Sequence, residues 1–232
     1  MFVSNLRKSV IAYQSVLQGP NVPIKEGVWE FILSQAASRS GMSHEWTPGS
    51  HRPGADITIN GKTYSCKTSR IDPQHLLVSS YRLTNVCRDC KEDPAAIINE
   101  IDNVRNNFDS YMILARESKK CKKTGVETIL RYRVYDIPSS CLKTANMNWK
   151  QDKNGNWKAE SLDNTGFSVM IQKSMSFQLW MKIPLAYIEP YIMLTIEIDS
   201  VKPVNLVDLY DLHYDVSDTA DAFASLSLQS ST

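Results

Sequence analysis

No stretch of the 232 residues approaches about 18 uninterrupted apolar positions, which argues against a membrane-spanning helix. The opening MFVSNLRKSVIAYQSVLQG has basic residues but neither an apolar core nor a small-residue cleavage site. It reads as an amphipathic helix and not as a secretory leader. Cysteine is sparse as well: five residues, an odd number without regular spacing, which excludes a secreted disulfide scaffold. Reduced thiols and a cytoplasmic location are the expectation. Cys87 and Cys90 form one Cys-x-x-Cys, but no second pair and no His pair sits at zinc-finger spacing. Repeats, low-complexity segments and a convincing interdomain linker are all missing.

Basic residues are missing too, but only from the end. No Lys or Arg follows Lys202, whereas Asp208, Asp211, Asp215, Asp218 and Asp221 do. The 26 basic residues of the chain therefore face 20 acidic ones over positions 1–202, a surplus of 6 hidden by the overall +1. A moderately basic body suits an anionic partner. Residues 206–232 read as an acidic polar tail.

What is present is an ordinary globular composition, with 42% apolar and 22% charged residues. Helical periodicity covers roughly 3–18 and, after Pro23, a segment to about Ser38 with Ile24, Val28, Phe31, Ile32 and Gln35 on its core side. Strands are expected at 76–83, in SYMILARES and ETILRYRVYDIP, and in FSVMIQKSMSFQLWMKIP and IMLTIEID. A helix capped by Asp93 with Pro94 at its first position runs to Phe108. Residues 146–166 read as a polar loop. The expected fold is α/β (α+β): one domain over residues 1–205, a mixed β-sheet flanked by helices.

The informative stretch is GADITINGKTYSCKTS, residues 54–69. Asn60-Gly61 between two alternating runs predicts a two-residue type I′ hairpin, and that turn fixes the register. Ile59 then opposes Lys62, Thr58 opposes Thr63, Ile57 opposes Tyr64 and Asp56 opposes Ser65. One face carries Ala55, Ile57, Ile59, Tyr64 and Cys66 toward the core. The other carries Asp56, Thr58, Thr63, Ser65, Lys67 and Ser69 outward. A carboxylate and an ammonium held together on strands suit a hard divalent cation and a phosphodiester. An exposed cross-strand Asp–Lys pair, worth about 0.2–1 kcal/mol, is the competing explanation.

An aspartate, a turn, and a strand ending in acidic-x-Lys resemble the signature of the PD-(D/E)xK nucleases, which include most type II restriction endonucleases. Asp56 matches the strand aspartate, and Ser65-Cys66-Lys67 matches the triplet. The resemblance implies a restriction-endonuclease-like fold and a Mg²⁺-dependent, sequence-specific double-stranded DNA endonuclease. Asp56 would bind metal, the backbone carbonyl of Cys66 would be a further ligand, and Lys67 would position the attacking water. Two departures stand out: Gly54-Ala55 replaces the usual proline before Asp56, and Ser65 holds the place of the second acid. Glu30 resembles the glutamate that many members carry on the preceding helix. Glu100 is an alternative source of that carboxylate, and Glu26, one turn before Glu30, is a weaker version of the first idea.

For DNA contact, the expected residues are His51 and Arg52 in the loop before Asp56, Ser69 and Arg70 beyond the hairpin, and Arg82 on the next strand. Gln172, Lys173, Ser174, Ser176 and Gln178 have the donors and acceptors that base reading requires. Reading a palindrome would imply a homodimer. The alternatives are a structure-selective repair or junction nuclease, a catalytically silent DNA-binding module kept open by Ser65, and an interaction domain unrelated to nucleic acid.

Overall fold

The computed structural model describes residues 1–17, 22–47, 54–89, 93–120 and 127–199. Helices α1 (Phe2–Ala12) and α2 (Glu26–Arg39) precede strands β1 (His44–Trp46), β2 (Ile57–Ile59), β3 (Lys62–Asp72) and β4 (His75–Arg82). The short helices α3 (Thr84–Asp89) and α4 (Pro94–Asn99) follow, then β5 (Ser110–Lys120) and β6 (Glu127–Pro138). The chain continues with β7 (Met147–Gln151), β8 (Trp157–Ser161), β9 (Ser168–Gln172), β10 (Gln178–Pro184), helix α5 (Leu185–Ile188) and β11 (Ile192–Asp199).

These strands form one mixed sheet in the order β11-β6-β5-β3-β4-β10-β9-β8-β7, with β2 joined to β3 and β1 to β2. Only the β3–β5 pair is parallel among the ladders of this path. A parallel pair needs a long crossover, and the segment carrying β4, α3 and α4 provides it. The expected mixed sheet with flanking helices is therefore the observed one.

The sheet has two unlike halves. Tyr111, Met112, Ile113, Leu114 and Ala115 of β5 are all buried, which requires cover on both faces. Met112 and Leu114 pack under α1 and α2 with Trp29, Leu33 and Cys66. Tyr111, Ile113 and Ala115 pack on the other side with Leu76, Cys87, Ile97 and Ile101. In the other half, β8 alternates Trp157 and Ala159 buried against Lys158 and Glu160 exposed, and β7, β9 and β10 alternate likewise. Among the described residues, that half is covered on one face and open on the other.

Several expectations are corrected. The core side of α2 is Trp29, Ile32, Leu33, Ala36 and Ala37, while Phe31 is exposed and Gln35 half-buried. The fully buried indole of Trp29, donating to the Met112 carbonyl at 2.9 Å, sets that rotation. Residues 147–161 are not a loop but the β7–β8 hairpin, paired from Met147↔Ser161 to Gln151↔Trp157. Burying Trp157 and Ala159 outweighs the polar average of the stretch. Asp93 caps α4 as expected, accepting from Ala95 N at 2.9 Å, but the helix widens into a π-helical turn at Glu100–Arg105 and stops before Phe108. Phe108 instead meets Tyr111 edge-on at 4.7 Å. The expected tail at 206–232 lies outside the described residues. Among the described residues, no helix is long and apolar enough to cross a membrane.

Candidate active site

Asn60 and Gly61 both have positive φ, 48° and 79°, as a type I′ turn demands. The register follows the turn: Ile57↔Tyr64, Thr58↔Thr63 and Ile59↔Lys62. Asp56 lies in a bend just before β2, yet its N–H still donates to the Tyr64 carbonyl at 2.8 Å. The bend breaks the alternation, so Ala55 packs against the opposite core from Ile57 and Ile59, contrary to the expected face.

A second correction concerns the polar face. Its centre is not an outer face: β3 is an interior strand, and Ser65 and Lys67 are only 5% and 7% exposed, whereas Thr58, Thr63 and Ser69 are half-exposed. A buried ammonium must find acceptors for its hydrogens. Lys67 Nζ finds three, donating to Glu26 Oε1 at 2.9 Å, the Cys66 carbonyl at 2.6 Å and Asp56 Oδ2 at 3.4 Å. The exposed-pair explanation of the Asp56–Lys67 contact is thereby excluded.

The Asp56 carboxylate is held from the β3 side. Its Oδ2 accepts from Cys66 N at 2.7 Å and from Ser65 Oγ at 3.1 Å. Ser65 thus occupies the triplet's first place as a donor that orients Asp56. From the other side α2 presents Glu26 and Glu30, one helical turn apart and therefore on one face. One carboxylate oxygen from each of Glu26, Glu30 and Asp56 lies within 4.8 Å of the others. Both glutamates belong to the cluster, Glu26 no less than Glu30. Glu100 does not: it is half-buried and bonded to Arg105 at 2.6 Å.

Trp46, which nothing in the sequence ties to the carboxylates, donates from Nε1 to Glu30 Oε2 at 3.2 Å. Burial pushes the Glu30 carboxyl above the ordinary carboxylate range; the Trp46 hydrogen bond opposes the shift, and the charges of Asp56 and Glu26 add to it. Burial alone would pull the Lys67 ammonium down, but Glu26 and Asp56 more than reverse this and hold it above its ordinary value. Burial drives the Cys66 thiol well up, so this residue can offer its carbonyl and not a thiolate. Among the described residues, three carboxylates face one ammonium, so the cluster carries more negative than positive charge.

The other expected site residues fall elsewhere. His51 and Arg52 lie outside the described residues, as does Cys90. Cys87 is a core residue whose thiol burial pushes up to about 11. Ser69 Oγ donates to the Leu77 carbonyl at 2.9 Å, tying β3 to β4, and Arg70 and Arg82 are exposed. Gln172 and Gln178 face each other across the β9–β10 ladder, joined through the turn at Lys173–Met175. Ser174 and Ser176 sit on that turn; Ser176 has φ 57°, and its carbonyl accepts from Thr84 Oγ1 at 2.8 Å. The β9–β10 pair reaches β3 through β4, so these residues are grouped together but not within the carboxylate cluster.

Compared with known proteins, the chain matches no family model, no curated protein and no solved structure.

Proposed function

We propose that the protein is a Mg²⁺-dependent, sequence-specific double-stranded DNA endonuclease of the PD-(D/E)xK, restriction-enzyme kind. The observation that carries this reading is the convergence of Glu26, Glu30 and Asp56 within 4.8 Å, with the Lys67 ammonium and the Cys66 carbonyl against them. A stable fold needs no such gathering of like charges, and the residues come from three separate segments.

The donor set fits Mg²⁺, which prefers hard oxygen ligands: Asp56, Glu26 and Glu30, with the Cys66 carbonyl beside them. Bound there, the ion would polarise a phosphodiester oxygen and acidify a water. Lys67, held charged by its neighbours, stabilises negative charge on the scissile phosphate, and exchanging one of its three acceptors for a water would let it orient the nucleophile. Ser65 keeps Asp56 turned toward the cluster. Trp46 does the same for Glu30. Reading a palindrome would pair two copies of the chain so that each strand meets one site.

The test is incubation of the purified protein with phage DNA of mixed sequence, in Mg²⁺ and in EDTA, beside Asp56→Ala and Lys67→Ala. Discrete fragments from the wild type in Mg²⁺ alone are expected. Intact DNA in every lane, branched and modified substrates included, would overturn the reading.

A further inference from the structure

Resting on the nuclease reading, we infer that the open half-face of the sheet, across β4, β10, β9, β8 and β7, is the bed on which duplex DNA lies as it enters the carboxylate site.

The face approaches that site along the segment that enters α2. A cavity of about 420 Å³ is lined by Pro23 and Ile24, just before Glu26, by Thr68 and Arg70 of β3, and by Leu77 and Trp180 farther along. Leu77 and Trp180 also line a second trough of about 550 Å³, which continues over Met170 and Lys182 to Lys158. Lys158 and Glu160 line a third of about 280 Å³ that reaches Lys150 on β7. The three join end to end on one face of the sheet. Five strand spacings separate β3 from β7, roughly 24 Å at about 4.8 Å each, the length of about seven base-pair steps.

Charge selects the occupant. Among the described residues, Arg70, Arg116, Lys150, Lys158 and Lys182 line these troughs against Asp152 and Glu160. Asp152 is itself bonded to Lys158 at 3.0 Å. Leu77, at 43% exposed, is the one lining residue among the exposed large hydrophobics of the described chain. That basic excess, on a face that also carries Met170 and Trp180, favours a polyanion over a second copy bearing the same excess. Thr68, Ser79, Ser168 and Gln172 supply neutral donors and acceptors between the cations, the mixture in which phosphate contacts position a duplex and side-chain amides reach base edges. Gln172 thus belongs to this bed and not to the β9–β10 turn alone.

The test measures fluorescence anisotropy of a labelled mixed-sequence DNA duplex on the full chain, with Ca²⁺ replacing Mg²⁺, as salt is raised. Three proteins are compared: wild type, Arg70→Glu/Lys182→Glu, and Arg88→Glu, whose exposed charge sits on α3 across the sheet. The open-face variant should bind at least roughly tenfold more weakly, with a salt slope shallower by about one for each phosphate no longer neutralised, while Arg88→Glu behaves as wild type. Lys150→Ala and Lys182→Ala singly, each with a milder loss, replace the double variant should it fold poorly. Duplex binding and cleavage unchanged by the open-face substitutions would overturn this inference and leave the nuclease reading intact. A wild type that binds no duplex, or binds single strands more tightly, would overturn it as well, and absence of both binding and cleavage would remove the nuclease reading with it.

Discussion

Lys67 Nζ lies 2.9 Å from Glu26 Oε1, across 41 positions of the sequence. This bond ties the β2–β3 hairpin to the first turn of α2. It is why the carboxylates of a helix and a bend come to face one ammonium. Fold and site are joined there, because the side chain that satisfies the buried lysine is also a candidate metal ligand.

Removing any one of the four charged groups should cost cleavage, and removing Lys67, the buried partner of Glu26 and Asp56, should cost stability as well. Glu26→Gln, Glu30→Gln, Asp56→Asn and Lys67→Ala are each expected to slow single-turnover cleavage by roughly a hundredfold or more. Lys67→Met, which keeps the stem without the charge, should be no better than Lys67→Ala. Rates within a few-fold of wild type would place the chemistry elsewhere.

Glu30 makes stability depend on pH in a definite sense. Its carboxyl is raised on folding, so the unfolded chain releases that proton first. The cost is absent below the ordinary carboxylate pKa, grows as pH rises toward the raised value, and stays in full above it. Glu30→Gln should then raise the melting temperature at neutral pH, by on the order of 1–2 °C, when divalent ions are chelated. Mg²⁺ should stabilise the wild type and do less for the variant. Melting curves in EDTA and in Mg²⁺ check both parts.

Trp46→Phe deletes the N–H that donates to Glu30 while keeping an aromatic ring beside Phe31, which lies 5.9 Å away. Because that bond lowers the Glu30 pKa, its loss should move the acid limb of the cleavage pH profile upward. Activity at neutral pH should fall by about tenfold or less. A loss of activity with an unmoved profile would make Trp46 merely structural.

Trp29 holds α2 to the sheet. Trp29→Ala should cost about 3–5 kcal/mol in urea unfolding, since it opens a cavity in a fully buried position and removes the bond to the Met112 carbonyl. The carboxylate cluster depends on that helix, so divalent-ion affinity should fall with it. Trp29→Phe should cost less.

The hairpin is legible in the sequence because Asn60-Gly61 leaves one turn type and one register, and the alternation about it assigns Cys66 to the core. The covering of its other face is not legible. Burial of Ser65 and Lys67 follows from β3 pairing with β5, a pairing made 46 residues downstream at Tyr64↔Ser110, and no local pattern announces it. The rotation of α2 is hidden for a related reason. Phe31 and Trp29 are both large and apolar, and only the position of the Met112 carbonyl decides which one turns inward. Glu26 and Glu30 are visible as a pair one turn apart, but their relative weight depends on where Lys67 ends up. In residues 147–161 the alternation of Met147 and Trp149 with polar neighbours is present, masked by the Asn, Lys and Gly around it.

The most direct measurement is titration of Mn²⁺, a stand-in for Mg²⁺ visible by electron paramagnetic resonance, into the wild type and into Asp56→Asn and Glu26→Gln. The expected result is a saturable site in the wild type, weakened by roughly tenfold or more in each variant and sharpened by added duplex DNA. Binding that is absent from the wild type, or indifferent to both substitutions, would contradict the assignment of Glu26, Glu30 and Asp56 as the metal site.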